Sequence, residues 1–334
     1  MGIKIGSSLA TAAKTIIPLL FGVIVLWLII RQVEIDRIIE ALKRDVDYRI
    51  ILLSLPFGVI GNIFRALRWD LLIRPLGYTP RKSNLIYAVL GNYGVNLAVP
   101  RLGEIWRCTM ISRYEKIPLN RLIGTMISDR IFDPIAVFVI LVAAFAMNVN
   151  FFENFLREHP GIYSQFYVML TSWWFYAVIA GISLIIFIIF KKYRTSAVIC
   201  KAIQFISGIW EGVISLSRMK KKWLFVVHTV LIWASYFLYF YICFYAFTFT
   251  RDLGINCGFI AFGLSSIAMA VPVQGGMGAW HGMVIAVLVA FGVTLNGATA
   301  FAFLVHTVQA IIFTALFGLF GIIALPVANN RKSR

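Results

Sequence analysis

Three clusters of polar side chains interrupt an otherwise apolar chain, and their residue types and spacing could do chemistry. The first is Pro100-Arg101-Leu102-Gly103-Glu104-Ile105-Trp106-Arg107. A helix starting near Gly103 puts Arg101 at its entry and Glu104 in its first turn. It also makes Glu104 and Arg107 i, i+3 neighbours that can pair. A helix N-terminus beside two arginines is a receptor for a phosphate group. The second cluster is Asp129-Arg130-Ile131-Phe132-Asp133-Pro134. Asp129 and Asp133 share a helix face, Arg130 is placed to partner Glu104 or a phosphate, and Pro134 frees a backbone carbonyl in the preceding turn. The third is Pro272-Val273-Gln274-Gly275-Gly276-Met277-Gly278-Ala279-Trp280-His281. Its glycines allow a tight, accessible backbone, with Gln274 and His281 beside them. The bland alternatives are a snorkelling interfacial cluster, a structural ion network and a hydrogen-bonded interior histidine. Ionisable groups inside apolar segments are costly, so each is a site candidate by default. His228, His306 and Gln309 sit singly in long apolar runs and read as bridges between helices.

The elements that must hold these groups follow from composition. Of 334 residues, 60% are hydrophobic and 13% charged, with 31 basic against 14 acidic side chains and a net charge of +17. A soluble domain carries roughly 25% charged residues. The chain is therefore an all-α polytopic membrane protein, not a soluble enzyme, a disordered tail or a disulfide scaffold. The basic excess lies in short loops between apolar runs, so it reads as a topology signal and headgroup contact, with no nucleic acid as partner. Cys108, Cys200, Cys243 and Cys257 form no C-x-x-C pair and read as small apolar fillers.

A span needs roughly 20 apolar residues. Runs at 15–30, 50–67, 122–147, 173–190, 223–249 and 299–327 give six spanning helices. The stretches 84–99 and 260–291 are interrupted: by Gly91, Asn92, Gly94, Asn96 and Pro100 in one, and by Pro272, Gly275, Gly276 and Gly278 in the other. Each arm is too short to span, so both read as re-entrant helical hairpins, broken at Asn96, Pro100 and Gly103 and at Pro272 through Gly278. Residues 195–218 read as an amphipathic helix on the cytoplasmic surface. Residues 33–42 are a weaker version of the same.

Loop charges orient the chain with both termini cytoplasmic. The hairpins then enter from opposite faces, each between two spans. This is an inverted-topology repeat within a single membrane domain, residues 1–334, with one half at about 48–149 and the other at about 222–327. Ala98-Val99-Pro100 followed by Gly103 is echoed by Ala270-Val271-Pro272 followed by Gly275. Arg65, Arg68 and Trp69 close the second span and read as an anchor at the cytoplasmic face, in reach of lipid headgroups.

These clusters carry a resemblance. The run from Asn96 to Arg107 resembles the N-x-x-x-P-x-R-x-G-E-x-x-R signature region of the flippase-like transmembrane domain found in lysylphosphatidylglycerol synthases and in stand-alone membrane proteins. Asp129-Arg130-x-x-Asp133 fits that family's following helix. Arg65-x-x-Arg68-Trp69 resembles its upstream R-x-L-R-W element, and Pro272 to His281 its P-x-x-G-G-[LIM]-G segment. The resemblance covers about residues 10–325. One departure stands out: the family has an acidic residue near the position of His281, and this chain does not. The resemblance implies a membrane domain related to lipid flipping. Because the chain ends at Arg334, it also implies no aminoacyltransferase domain of its own.

The leading expectation is thus a lipid flippase in the plasma (inner) membrane, moving an anionic or polyprenyl-phosphate-linked lipid. Arg101, Arg107 and Arg130 bind the headgroup, and Glu104, Asp129, Asp133, Gln274 and His281 complete the site. No catalytic residue, metal or cofactor is expected: the sequence has no P-loop, no D-D-x-x-D run and no nucleophile–base pair. The alternatives are an integral-membrane transferase on a lipid substrate, with Asp129 and Asp133 holding a divalent metal, and a non-catalytic accessory subunit docked on a partner biosynthetic enzyme.

Overall fold

The computed structural model describes residue 24, residues 26–99, 101–149, 221–269 and 274–330, and scattered positions between 151 and 184. Two compact units are distinguished: residues up to Ala144 together with those from Lys221 on, and Phe145–Lys220. In the second, the described positions from 168 to 184 are helical apart from Ser172. The span expected at 173–190 falls there and is described only in part. The span expected at 15–30 is described only near its end, and the amphipathic helix expected at 195–218 lies outside the described residues.

The first unit holds the site. Its helices are α1 (Ile35–Arg44), α2 (Tyr48–Ile73), α3 (Lys82–Ala98), α4 (Leu102–Glu115), α5 (Leu119–Met147), α6 (Lys222–Tyr241), α7 (Gly254–Ala268), α8 (Ala279–Ala290), α9 (Leu295–His306) and α10 (Phe313–Asn330). Among the described residues, four stretches are long and apolar enough to cross a membrane: Tyr48–Leu76, Leu119–Met147, Lys222–Ala246 and Leu295–Asn330. They match four of the six expected spans, and the all-helical polytopic reading holds. The first of them runs past Trp69, where the sequence suggested an end. The charges at Arg65, Arg68 and Asp70 do not stop the helix because neighbouring elements neutralise them.

Both ends of this unit are tied by hydrogen bonds. At one end Glu34 N–H donates to Asn296 Oδ1 (3.1 Å), Thr248 N–H to the Asp45 carbonyl (3.2 Å) and Asp47 N–H to the Ala246 carbonyl (2.8 Å). Asp47 also caps α2, its Oδ1 accepting from Arg49 N–H at 2.9 Å. At the other end Asn84 donates to Glu115 Oε1 (2.5 Å), and Asn329 Nδ2 donates to Asn84 Oδ1 (2.9 Å). This second end is the basic one, with Arg81, Lys82, Arg113, Lys116, Arg121, Lys221 and Lys222.

The paired short helices point in opposite senses. α3 leaves the basic end and α4 returns to it, whereas α7 and α8 leave and rejoin the end where α9 begins. α3 lies directly along α10, because Gly91 and Gly94 meet Gly321 and Gly318 backbone to backbone; a Cβ at Gly94 would sit 2.8 Å from Gly318 Cα. Small residues let helices approach this closely where lipid offers no hydrophobic driving force. α2 packs along α6 and also touches α3.

Candidate functional site

The site begins with two complementary spacings. Arg65 and Arg68 lie one turn apart on α2, and Asp129 and Asp133 one turn apart on α5, so the two faces can pair. Arg68 bridges both carboxylates, to Asp129 at 2.8 Å and to Asp133 at 2.8 Å, and Arg65 reaches Asp133 at 2.6 Å. Arg68 also donates to the Asp129 carbonyl (3.1 Å), and Trp69 Nε1–H donates to Thr125 Oγ1 (3.0 Å). Arg65, Arg68 and Trp69 are all buried, Arg68 with none of its surface exposed. The anchoring role read from the sequence is therefore corrected: these side chains point into the bundle, not at a surface. Isolated, such charges would be prohibitive in an apolar interior, and pairing is what makes them tolerable.

Hairpin one, α3 and α4, is held to this network through its tip. Asn96 Oδ1 accepts from Gly103 N–H (2.7 Å), and Asn96 Nδ2 donates to Glu104 (3.2 Å). That satisfies the backbone freed where the chain breaks, as an N-cap would. A Cβ on Gly103 would collide with the Asn92 carbonyl oxygen, so glycine is required at this crossing. Arg130 joins α5 to the hairpin, reaching Glu104 at 3.0 Å and Asp133 at 3.4 Å. The expected Glu104–Arg107 pair does not form. Glu104 turns to Arg130 and Asn96, while Arg107 turns inward, 4.6 Å over the Trp69 ring and 3.5 Å from Asp129. In all, Arg65, Arg68, Arg107 and Arg130 face Glu104, Asp129 and Asp133, one more guanidinium than carboxylate. Arg101 stands at the tip in a left-handed conformation, φ 65°. It is exposed and makes no ion pair among the described residues. A left-handed non-glycine residue is uncommon and stores strain at such a turn.

Hairpin two, α7 and α8, is held without charge. Gly275, Gly276 and Gly278 take φ values of 61°, 70° and 82°. His306, at the end of α9, donates from Nε2 to the Gly275 carbonyl at 2.8 Å. His281 Nδ1 accepts from Gly278 N–H at 3.4 Å, and the two imidazoles lie 4.4 Å apart. A π-helical turn, Thr307–Ile312, follows His306. There Gln309 donates to the Tyr239 carbonyl (2.5 Å), tying α6 to the turn. Gln274 lies in the 3-10 turn at the tip. Pro100 and Pro272 fall outside the described residues.

The two tips open on one cavity of about 990 Å³. Hairpin one contributes Tyr93, Asn96 and Arg101, and hairpin two Met269, Gly275 and Trp280. Arg65, Arg130 and Asp133 close the wall on the first side and His306 on the second; Val137, Phe138, Leu141, Phe313 and Phe317 make the apolar remainder. The arrangement suits an anionic, partly apolar molecule: unsatisfied positive charge at one side, greasy walls at the other. Of the expected site residues, Arg101, Arg130 and Asp133 face the cavity. Glu104, Arg107, Asp129 and His281 stand behind its wall as supports. Arg65, read from the sequence as a headgroup anchor at the surface, and His306, read as a bridge between helices, are wall residues too, and Tyr93 and Tyr236 are wall residues that sequence reasoning did not select. The signal for Arg65 was present: an i, i+3 arginine pair in one span and an i, i+4 aspartate pair in the next are complementary. Tyr93 and Tyr236 gave no signal, being two tyrosines among 13.

The family described as lysylphosphatidylglycerol synthase TM region matches residues 15–318. The UPF0104 membrane protein MJ1595 of Methanocaldococcus jannaschii is 25% identical over 124 residues, a stretch covering 36% of each chain. The match thus spans about a third of that relative's length. No solved structure matches.

Proposed function

The chain belongs to the lysylphosphatidylglycerol synthase TM region family, and on that premise we propose that it is a carrier of anionic lipid headgroups, a flippase and not an enzyme. One observation carries the reading: two broken helical hairpins of opposite sense meet at one cavity whose wall bears Arg65, Arg101 and Arg130. Non-helical backbone at membrane depth is tolerated only where it is buried in protein or lines a cavity. Paired interrupted helices in corresponding positions of two halves point to a transport site. The hairpins are accordingly re-entrant, and the halves at about 48–149 and 222–327 form an inverted repeat. The basic end is cytoplasmic by the positive-inside rule. With α10 ending beside Asn84 at that end, both termini are cytoplasmic on this reading.

The phosphate of the substrate, a phospholipid or polyprenyl-phosphate-linked lipid of the plasma membrane, meets Arg101 first because that guanidinium has no carboxylate to give up. Arg130 and Arg65 follow, exchanging part of their hold on Glu104 and Asp133. The acyl or prenyl chains stay in the bilayer along the apolar wall.

The test is headgroup translocation in liposomes carrying a fluorescent anionic phospholipid, read by access of the label to a membrane-impermeant quencher. Wild type should move the label. Arg101→Gln should slow it by about tenfold or more, the loss of one charge-assisted contact, without lowering thermal stability. Equal rates for the two proteins overturn the assignment of Arg101. No movement of any anionic lipid by wild type overturns the function.

A further inference from the structure

Arg107 and Asn92 are the two fully buried polar side chains that the network leaves unfinished. Each has none of its surface exposed. Arg107 Nε and Nη1, and both the oxygen and the nitrogen of the Asn92 amide, have no hydrogen-bond partner among the described residues. Buried polar groups are nearly always paired, and those that are not call for an explanation. The usual one, an ion pair, accounts for only one edge of Arg107, its Nη2 at 3.5 Å from Asp129.

The two side chains share a seam. Asn92 and Asn96 lie one turn apart on the α3 face that meets α4, since Asn96 bonds Gly103 and the Asn92 carbonyl abuts it. Gly103 and Arg107 lie one turn apart on the α4 face that meets α3. Trp69 of α2 stacks on Arg107, and Asp129 of α5 closes the far side. The seam is therefore walled by four helices. Arg107 is four residues past Gly103, about 6 Å nearer the basic end along the helix. Neither Arg107 nor Asn92 lines the cavity, but their neighbours do: Tyr93 follows Asn92, and Arg130 follows Asp129. Arg130 of the cavity wall holds Glu104, which lies one turn before Arg107 on α4.

We infer that the seam between Asn92 and Arg107 is a second binding station for the phosphodiester headgroup, occupied after the cavity on the way to the basic end. The free guanidinium nitrogens take phosphate oxygens. The amide takes a hydroxyl or ester oxygen beside them, its two N–H groups donating and its carbonyl oxygen accepting. When the phosphate draws Arg130 off Glu104, hairpin one loses one of its two ion pairs to α5, the other being Arg107 to Asp129, and the incoming phosphate takes over the second as the seam opens. This station rests on the headgroup-carrying role proposed above.

The decisive variant is Asn92→Leu, near in size and losing no hydrogen bond among the described residues. Its melting temperature should equal or exceed that of wild type, since an unpaired buried amide costs free energy. Binding of dihexanoyl phosphatidylglycerol by detergent-solubilised protein, which reads the cavity, should stay within about twofold, while translocation of labelled phosphatidylglycerol falls about tenfold or more. Translocation at the wild-type rate overturns the station. A second variant excludes a role for Arg107 as mere counter-ion. Arg107→Lys keeps a positive charge beside Asp129 and gives up the forked guanidinium; translocation at the wild-type rate overturns the station, and loss of translocation with an unchanged melting temperature supports it. Inorganic phosphate separates a lipid headgroup from a free anion. If it raises the melting temperature of wild type and not of Asn92→Leu while both translocate equally, the seam binds free phosphate and the lipid station fails. Wild-type liposomes that move no lipid sink the carrier reading itself, a result distinct from any of these.

Discussion

The two hairpins do the same geometric job with opposite chemistry. Each is a pair of short helices whose broken end is pinned by the span that follows it: hairpin one by Arg130 of α5 on Glu104, hairpin two by His306 of α9 on the Gly275 carbonyl. The first pin is an ion pair inside a network with a positive charge in excess. The second is a single neutral hydrogen bond to backbone, set among three left-handed glycines. An anion arriving in the cavity can compete for the first pin and has little to say to the second. On the function proposed above, recognition belongs to the charged half and the neutral half supplies a deformable wall.

The sharpest way to break that contrast is to unbalance the charged half. Asp129→Asn leaves Arg68 and Arg107 facing each other in a sealed interior. Removing one partner of a buried pair typically costs about 3–5 kcal/mol. Denaturant titration in detergent should show a loss of that order, together with poor yield. A shift no larger than that of a His306 variant would mean that the two hairpins are not held differently after all.

Next in size is the crossing at Gly103. Gly103→Ala drives a methyl group into the Asn92 carbonyl, which belongs to helix backbone and can yield only by moving α3 off α4. Overpacking of this kind costs about 1–3 kcal/mol. Gly275→Ala in hairpin two meets open space, with the nearest atom, on His306, 3.9 Å away, and bears only the left-handed backbone penalty of about 1–2 kcal/mol. Thermal unfolding of the pair should rank Gly103→Ala as the more damaging. The reverse order would place the tighter packing in the neutral half.

What the sequence allowed one to read follows the same division. Charges in apolar runs are conspicuous, so the Asp129, Arg130 and Asp133 cluster, the Arg101–Glu104 tip and the four described spans were legible from residue type and spacing alone. Partner choice was not. Glu104 could equally meet Arg107 one turn away or Arg130 on another helix, and only the rotation of α4 about its axis decides. Arg65 and Arg68 were misjudged for a related reason: at the end of an apolar run a basic pair looks like an interfacial anchor, and its burial depends on carboxylates about 60 residues later, at Asp129 and Asp133. In the neutral half the pin is a backbone carbonyl, invisible to any reading of side chains. His306 therefore passed as an ordinary bridge between helices, though it lines the cavity.

The smallest effect is the most discriminating. His306→Gln keeps an amide N–H able to reach the Gly275 carbonyl, whereas His306→Phe keeps the ring and loses the donor. Gly275 is exposed to the cavity, so losing this one hydrogen bond costs about 0.5–1.5 kcal/mol, and replacing it close to nothing. His306→Phe should therefore lower the melting temperature modestly and His306→Gln should not. Headgroup binding in the cavity should be unchanged in both, because the anion is held from the other side. Weakened binding in His306→Phe with full thermal stability would put His306 on the substrate and dissolve the division between a recognising half and a yielding one. Weakened stability with intact binding is what a neutral pin requires: the energy of the second hairpin is spent on its own backbone, which leaves the charged hairpin alone to register the phosphate.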